Sequence, residues 1–254
     1  VQPLFRHLTA KDILDLSDAG AVGVASLALT ILDRAAPTRS FEALRAITVG
    51  RRDAELMDIR AMSFGRILSL VSHCAHCGTR TELELTAEDI GLTCTAVPGE
   101  WQSCSLDLDG EPCIVRPVTA GDLADLDTVR EPVDFGRHLL RRCLTSADGS
   151  HWLSSGDALE KWLDAEPARA LGVEAALADL DPAADIQLEL TCPVCRGVWT
   201  EQFDAPAILW DDIRAEADRL LGECAELARA YHWTEQDILA LSPARRRFYL
   251  EAAR

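Results

Sequence analysis

The sequence predicts an α+β protein, mainly helical, in which two cysteine-bearing hairpins close one small ribbon and a helical arm ends the chain. Three observations predict it. Apolar residues recur at helical spacing before residue 67 and after residue 204; strict alternation marks the runs TELEL and IQLEL; and each alternating run adjoins a C-x-x-C turn. The organisation that follows is a helical N-terminal region (1–66), a first ribbon hairpin (67–91), an α/β insertion (92–185), a second ribbon hairpin (186–204) and a helical C-terminal arm (205–254).

Taken in order, Thr9 is placed to cap a helix through KDILDL, with Asp12 three residues on completing a capping box. Residues 21–36 are rich in helix formers and Pro37 ends them. Ser40 caps FEALRAI, where Phe41, Leu44 and Ile47 share a face, and a further helix is expected from Asp53 to Met62 with Leu56, Ile59 and Met62 inward. From Ile67 the period becomes two. ILSLVSH and TELELT flank the first C-x-x-C, with Leu83 and Leu85 on one face and Glu82 and Glu84 on the other. A hairpin is expected over 101–118, turning at Asp109-Gly110, a pair suited to positive φ. It places Cys104 opposite Val115 and Leu106 opposite Cys113.

Thr119 and Asp122 open a helix through GDLADLDTV. Helical stripes follow at Phe135, Leu139 and Cys143, then at Leu159, Trp162 and Leu163. DIQLEL restores the strand pattern. After Pro206, Leu209, Ile213, Ala217, Leu220, Cys224, Leu227 and Tyr231 repeat every three or four residues, the mark of one long amphipathic helix. Thr234 and Ser242 cap two short terminal helices, the second beginning with Pro243. No internal repeat is evident beyond the two cysteine knuckles.

The knuckles are Cys74-Ala75-His76-Cys77-Gly78 and Cys192-Pro193-Val194-Cys195-Arg196-Gly197. Two thiolates cannot close a metal site, but four can, and strand–knuckle–strand twice over is the layout of a zinc ribbon. Cys74, Cys77, Cys192 and Cys195 are therefore the expected ligands of one structural Zn2+. Gly78 and Gly197 fit turns that need positive φ. The unusual length between the pairs is tolerable, because loop-closure entropy grows only logarithmically. A redox dithiol normally opens a helix, and both of these motifs lead into strands. His73 and His76 are spare candidate ligands. Cys94, Cys104, Cys113, Cys143 and Cys224 lack ligand spacing and suit small buried positions.

With 25 basic against 42 acidic side chains, the net charge is −17, which opposes binding to a phosphate backbone. No apolar run is long enough to span a bilayer, and VQPLFRHLTA does not read as a secretory leader. A cytoplasmic protein with no nucleic-acid or membrane partner is expected. No nucleophile elbow, phosphate loop, dinucleotide fingerprint or H-E-x-x-H occurs, so no enzymatic activity is expected. In the tail, Tyr231 and Trp233 are either a hinge core or anchors for a partner, and Arg245, Arg246 and Arg247 are either a solvated face or a docking patch.

The run LARAYHWTEQDILALSPARRRFYLE resembles the C-terminal signature of a family of contractile phage-tail proteins, the baseplate proteins or T-even-type phage baseplate hub assembly chaperones. Members also accompany phage-tail-like injection particles. The similarity continues upstream in CPVCRGVWTEQFDAPAILWDDIRAEADRLL, where cysteine pair, FDxxxxLW and long helix stand in the family's order. It extends through VGRRDAELMDIRAMSFGRILSLVSHCAHCGTRTELEL and IVRPVTAGDLADL, so the resemblance covers most of the chain. It departs at His232, where glycine is common. It implies a non-enzymatic role in building a baseplate or hub, with baseplate, hub or tail proteins as partners contacted through Trp210 to Arg254. It carries over the cysteine pairs and no catalytic residue. The alternative is a zinc-ribbon adaptor of nucleic-acid machinery, which predicts basic residues around the knuckles. Only Arg80 and Arg196 lie close, among Glu82, Glu84 and Glu201.

Overall fold

The computed structural model describes residues 4–20, 23–93, 101–108, 110–127, 132–146, 161–162 and 166–253. The expected positions of Cys94, Asp109, Leu159 and Leu163 lie outside them. Helices α1 (Ala10–Asp18), α2 (Val24–Ala35), α3 (Phe41–Arg45) and α4 (Val49–Phe64) build the N-terminal region. Strands β1 (Leu68–His73) and β2 (Arg80–Leu85) form the first hairpin. The insertion holds β3 (Cys104–Leu108), β4 (Glu111–Val115), α5 (Ala120–Asp125), α6 (Pro132–Cys143), β5 (Leu144–Ser146) and α7 (Pro167–Leu180). Strands β6 (Gln187–Thr191) and β7 (Val198–Gln202) form the second hairpin, ahead of α8 (Ala205–Tyr231), α9 (Glu235–Leu239) and α10 (Pro243–Ala252).

The spine is α8. Leu209, Ile213, Ala217 and Leu220 are fully buried and join α1, α2 and α4 in one core with Leu16, Leu29, Ile31, Leu32, Leu56 and Ile59. This is the 3.6-residue stripe visible in the sequence, wrapped by three helices instead of one. The insertion has a smaller core of its own, in which Cys113, Val115, Leu144, Trp162 and Val173 pack together. Its sheet, in the order β3-β4-β5, is antiparallel with Cys104 opposite Val115 and Leu106 opposite Cys113, as expected. β5 was not expected: three residues are too few to show a period, and pairing with β4 makes the strand.

Other corrections are local. α4 begins at Val49, capped by the Thr48 hydroxyl, four residues before the expected start, and Met62 is 45% exposed. Its inner face is marked by paired charges as well as apolar side chains. Glu55 is fully buried between Arg39 (2.6 Å) and Arg51 (2.8 Å), and Arg52 is buried against Asp53 (2.7 Å). Buried ions are tolerated only with such partners, and they hide a helix from an apolar-periodicity reading.

There is also a second repeat. Arg6-x-x-Thr9-x-x-Asp12 and Arg116-x-x-Thr119-x-x-Asp122 adopt the same arrangement at the starts of α1 and α5. In each, the arginine donates two bonds to the aspartate (2.6 and 3.1 Å; 2.6 and 3.0 Å). The threonine N–H donates to the same carboxylate at 2.9 Å in both, completing reciprocal capping boxes. Burial tends to raise the Asp12 pKa, but hydrogen bonds from Arg6 and Thr9 outweigh it and lower it from 3.8 to about 2.

Two carboxylates of the insertion cap helices of the N-terminal region. Asp127 accepts from the N–H groups of Ala25 (3.3 Å) and Ser26 (2.8 Å), serving α2, which has no side-chain cap of its own. Asp181 accepts from the Gly50 N–H (2.8 Å) at the start of α4. Both approaches require glycine: a Cβ on Gly23 would meet Asp127 at 2.1 Å and one on Gly50 would meet Asp181 at 2.4 Å. The insertion is thus fastened at two points, Asp127 and Asp181, by charge at helix N-termini.

Asp127→Ala should cost about 1 kcal/mol in urea unfolding, the usual worth of a cap. Gly23→Ala should cost more, because it displaces the same carboxylate and adds a steric clash. The folded Asp12 pKa lies below its unfolded value, so its contribution is complete above about pH 4 and lost as the pH falls towards 2. Arg6→Leu should flatten that part of an acid-unfolding curve.

Candidate metal centre

Each hairpin ends in the same turn. In the first, the Cys74 N–H donates to the Thr79 carbonyl (2.9 Å) and the Gly78 N–H to the Cys74 carbonyl (2.8 Å). In the second, Cys192 N–H donates to the Gly197 carbonyl (2.9 Å) and Arg196 N–H to the Cys192 carbonyl (3.1 Å). The turns need one left-handed residue each. Gly78 supplies it in the first, at φ +71°, but in the second it is Arg196, at φ +62°, and not Gly197. Gly197 is small for another reason: a Cβ there would meet the His76 ring at 2.4 Å. His76 lies across the two tips, its Nε2 3.0 Å from the Val198 carbonyl, and takes no place among the sulfurs.

The tips bring Cys74, Cys77, Cys192 and Cys195 together, all four sulfurs within 4.8 Å of one another. Cys74 Sγ lies 3.6 Å from Cys195 Sγ, and Cys77 Sγ lies 3.6 Å from Cys192 Sγ. A metal about 2.3 Å from four tetrahedral sulfurs sets them near 3.8 Å apart, so the cluster fits a metal ion. Three backbone amides are aimed at the sulfurs: His76 N–H at Cys74 (3.4 Å), Cys195 N–H at Cys192 (3.5 Å) and Gly197 N–H at Cys195 (3.4 Å). The Thr79 hydroxyl lies 3.1 Å from Cys77 Sγ. Such donors favour the thiolate form that binds metal.

The hydrogen bond with Thr79 brings the Cys77 thiol down to about 6, and the Cys195 N–H lowers Cys192. Gly197 N–H also pulls Cys195 down, but the neighbouring Cys77, Cys192 and Cys74 sulfurs push it up to about 12. A cation entering the cluster displaces the protons of the thiols that bind it. Behind the sulfurs lies a layer the sequence reading missed. Trp199 packs on Cys74 and Cys192, and its Nε1 donates to Ser72 Oγ (3.3 Å) and Glu201 (3.1 Å). Ser72 donates to the same Glu201 at 2.6 Å. Only their i, i+2 spacing, Trp199 to Glu201, hinted that they share a face.

The remaining cysteines pack as expected where the structure describes them: Cys113 and Cys143 are buried, Cys104 is partly buried, and burial pushes the Cys143 thiol up to about 12. In the tail, Tyr231 and Trp233 form the hinge core. Their rings stack at 4.7 Å, Tyr249 meets both edge-on, and the Tyr231 hydroxyl donates to the Tyr249 carbonyl. Arg246 is buried, bonded to Glu223 (2.9 Å) and to the Leu241 carbonyl (2.8 Å), so it is not available to a docking patch. Arg245 and Arg247 are exposed. Among the described residues no helix is long and apolar enough to cross a membrane.

No protein-family model matches the chain, and no curated protein or solved structure matches it.

Gly78→Ala should destabilise the protein by about 1 kcal/mol, because alanine is strained at positive φ. Arg196→Gly, at the equivalent position, should be neutral or stabilising. Chemical denaturation of both variants at one metal concentration would show whether the two knuckles respond in opposite directions.

Proposed function

We propose that this chain is a non-enzymatic assembly chaperone or structural component of the baseplate or hub of a phage-like contractile tail or injection particle, held together by one structural zinc ion. The observation that carries the structural half is the closed set of four sulfurs at tetrahedral spacing. Zinc accepts four thiolates without a redox step, and a site with four protein ligands keeps no position open for a reacting water. Cys74, Cys77, Cys192 and Cys195 would hold it, which makes the two hairpins a single zinc ribbon. The tail-assembly half is supported by the resemblance of the chain's motifs, in their order, to those of baseplate proteins. The arm from Trp210 onward is a candidate contact with such a partner, through Arg245 and Arg247.

The nucleic-acid adaptor reading has less support. Around the knuckles Arg80 is already paired with Glu82, and the hairpin faces carry Glu84, Glu189 and Glu201.

Protein purified without added metal should contain one zinc per chain, read by elemental analysis. Chelation should remove it together with cooperative unfolding, because the binding free energy of such a site is folding free energy. Cys192→Ser should behave like the chelated protein. A metal-free protein with an unchanged melt would refute the zinc half. Co-expression with tail and baseplate proteins should recover a stable complex with one of them; recovery of none would refute the assembly half and leave the zinc result standing.

A further inference from the structure

The two hairpins do not close on each other along their whole length. They meet at the sulfurs, through Ser72, His76, Trp199 and Glu201, and at the α4–α8 core. Between those points a groove of about 420 Å3 opens along their inner faces. Its floor is apolar, made by Leu70 and Leu83 of the first hairpin and Leu188 and Leu190 of the second. All four are only partly buried. Leu70 and Leu188 rest on the main core and Leu190 on the cysteine cluster, but Leu83 belongs to no hydrophobic cluster of the described residues. Leu83 stands opposite Leu70 on the neighbouring strand and is itself only partly buried, so its side chain stays partly open to the groove.

The rim is acidic. Glu201, Asp204, Asp211 and Asp212 border the groove, against the single guanidinium of Arg60, which is bonded to Asp212 at 2.6 Å. Glu201 and Asp204 are held in place by Ser72 and by the Ala207 N–H, and Asp211 is exposed. The volume suits a few side chains of leucine size.

We propose that this groove binds an extended, basic segment of a partner protein, with apolar side chains at alternate positions on the leucine floor and arginine or lysine on the carboxylate rim. An extended chain presents alternate residues to opposite faces, which suits a narrow slot with apolar floor and charged edges. Charge complementarity selects a basic partner. The proposal goes beyond the reading above: it adds a second contact surface, on the hairpins, and names the chemistry of the segment that surface takes.

The probe is a labelled synthetic peptide, Lys-Leu-Arg-Leu-Lys-Leu-Arg, with a glutamate-for-cation version as control. Anisotropy with the zinc-replete full chain should show binding of the basic peptide, at least about tenfold tighter than the control and weaker in higher salt. Leu83→Arg and Asp211→Arg should each weaken binding by about tenfold while zinc content and melting stay unchanged. Because Asp211 is exposed, the second variant keeps the test valid if the first fails to fold. Equal binding of both peptides, or wild-type binding by both variants, would overturn the proposal. So would self-association of the chain that Leu83→Arg abolishes, since a second copy would then be the occupant. Absence of peptide binding by protein with one zinc per chain would also overturn it, without touching the zinc reading.

Discussion

Four sulfurs drawn to one point are the constraint on which the architecture turns. Thiolates 3.6 Å apart repel one another by about 5 kcal/mol per pair at an effective dielectric constant of about 20, so the fully ionised cluster needs a cation. With a cation the same approach becomes a cross-link between residues 115 apart. In the chain-entropy picture developed for disulfides, closing a loop of that length removes about 5 kcal/mol from the unfolded state. That is a large fraction of the net stability of a typical domain. Beyond the four sulfurs, the hairpins are hydrogen-bonded to each other through Trp199, Ser72, Glu201 and His76.

The bases of the hairpins are fixed by different means. Arg60 donates to Asp212, about two turns into α8, and to the carbonyls of Gly65 and Ile67 where the chain turns from α4 into β1. One guanidinium therefore sets the first hairpin against the long helix. The second hairpin enters α8 directly: Asp204 caps the helix, and Phe203 ties the end of β7 to Ile186. Asp127 and Asp181 then hold the insertion to the N-terminal helices, so the chain between the knuckles is tied to the body at points other than the sulfurs. The result is a packed body on which the hairpins stand, with the sulfurs joining their free ends.

Much of this was legible in the sequence because it rests on local rules. Thr9, Ser40, Thr119, Thr234 and Ser242 cap the helices they were expected to cap. The strand period located both hairpins, and the C-x-x-C turns located the sulfurs. What the sequence hid depends on partners far away in the chain. The start of α4 is masked by charges that become acceptable only when Arg39 and Arg51 meet Glu55. The trans caps on α2 and α4 join residues more than a hundred positions apart. Arg196 at positive φ could not be read from composition, since glycine at the neighbouring position offered the easier explanation. The repeated Arg-Thr-Asp cap was visible but is spread over seven residues, with its identities diluted between them.

The 115-residue separation of Cys77 and Cys192 also has a consequence in time. A ribosome adding about 5–20 residues per second needs about 6–23 s to pass from one cysteine to the other. Throughout that interval the first knuckle exists as a lone pair of thiols. The N-terminal helices lack α8, whose buried stripe completes their core and which leaves the ribosome only after the second knuckle. Closure of the four-cysteine cluster and closure of the core therefore become available within the same short stretch of synthesis, and the main body commits to its fold late and in a single episode.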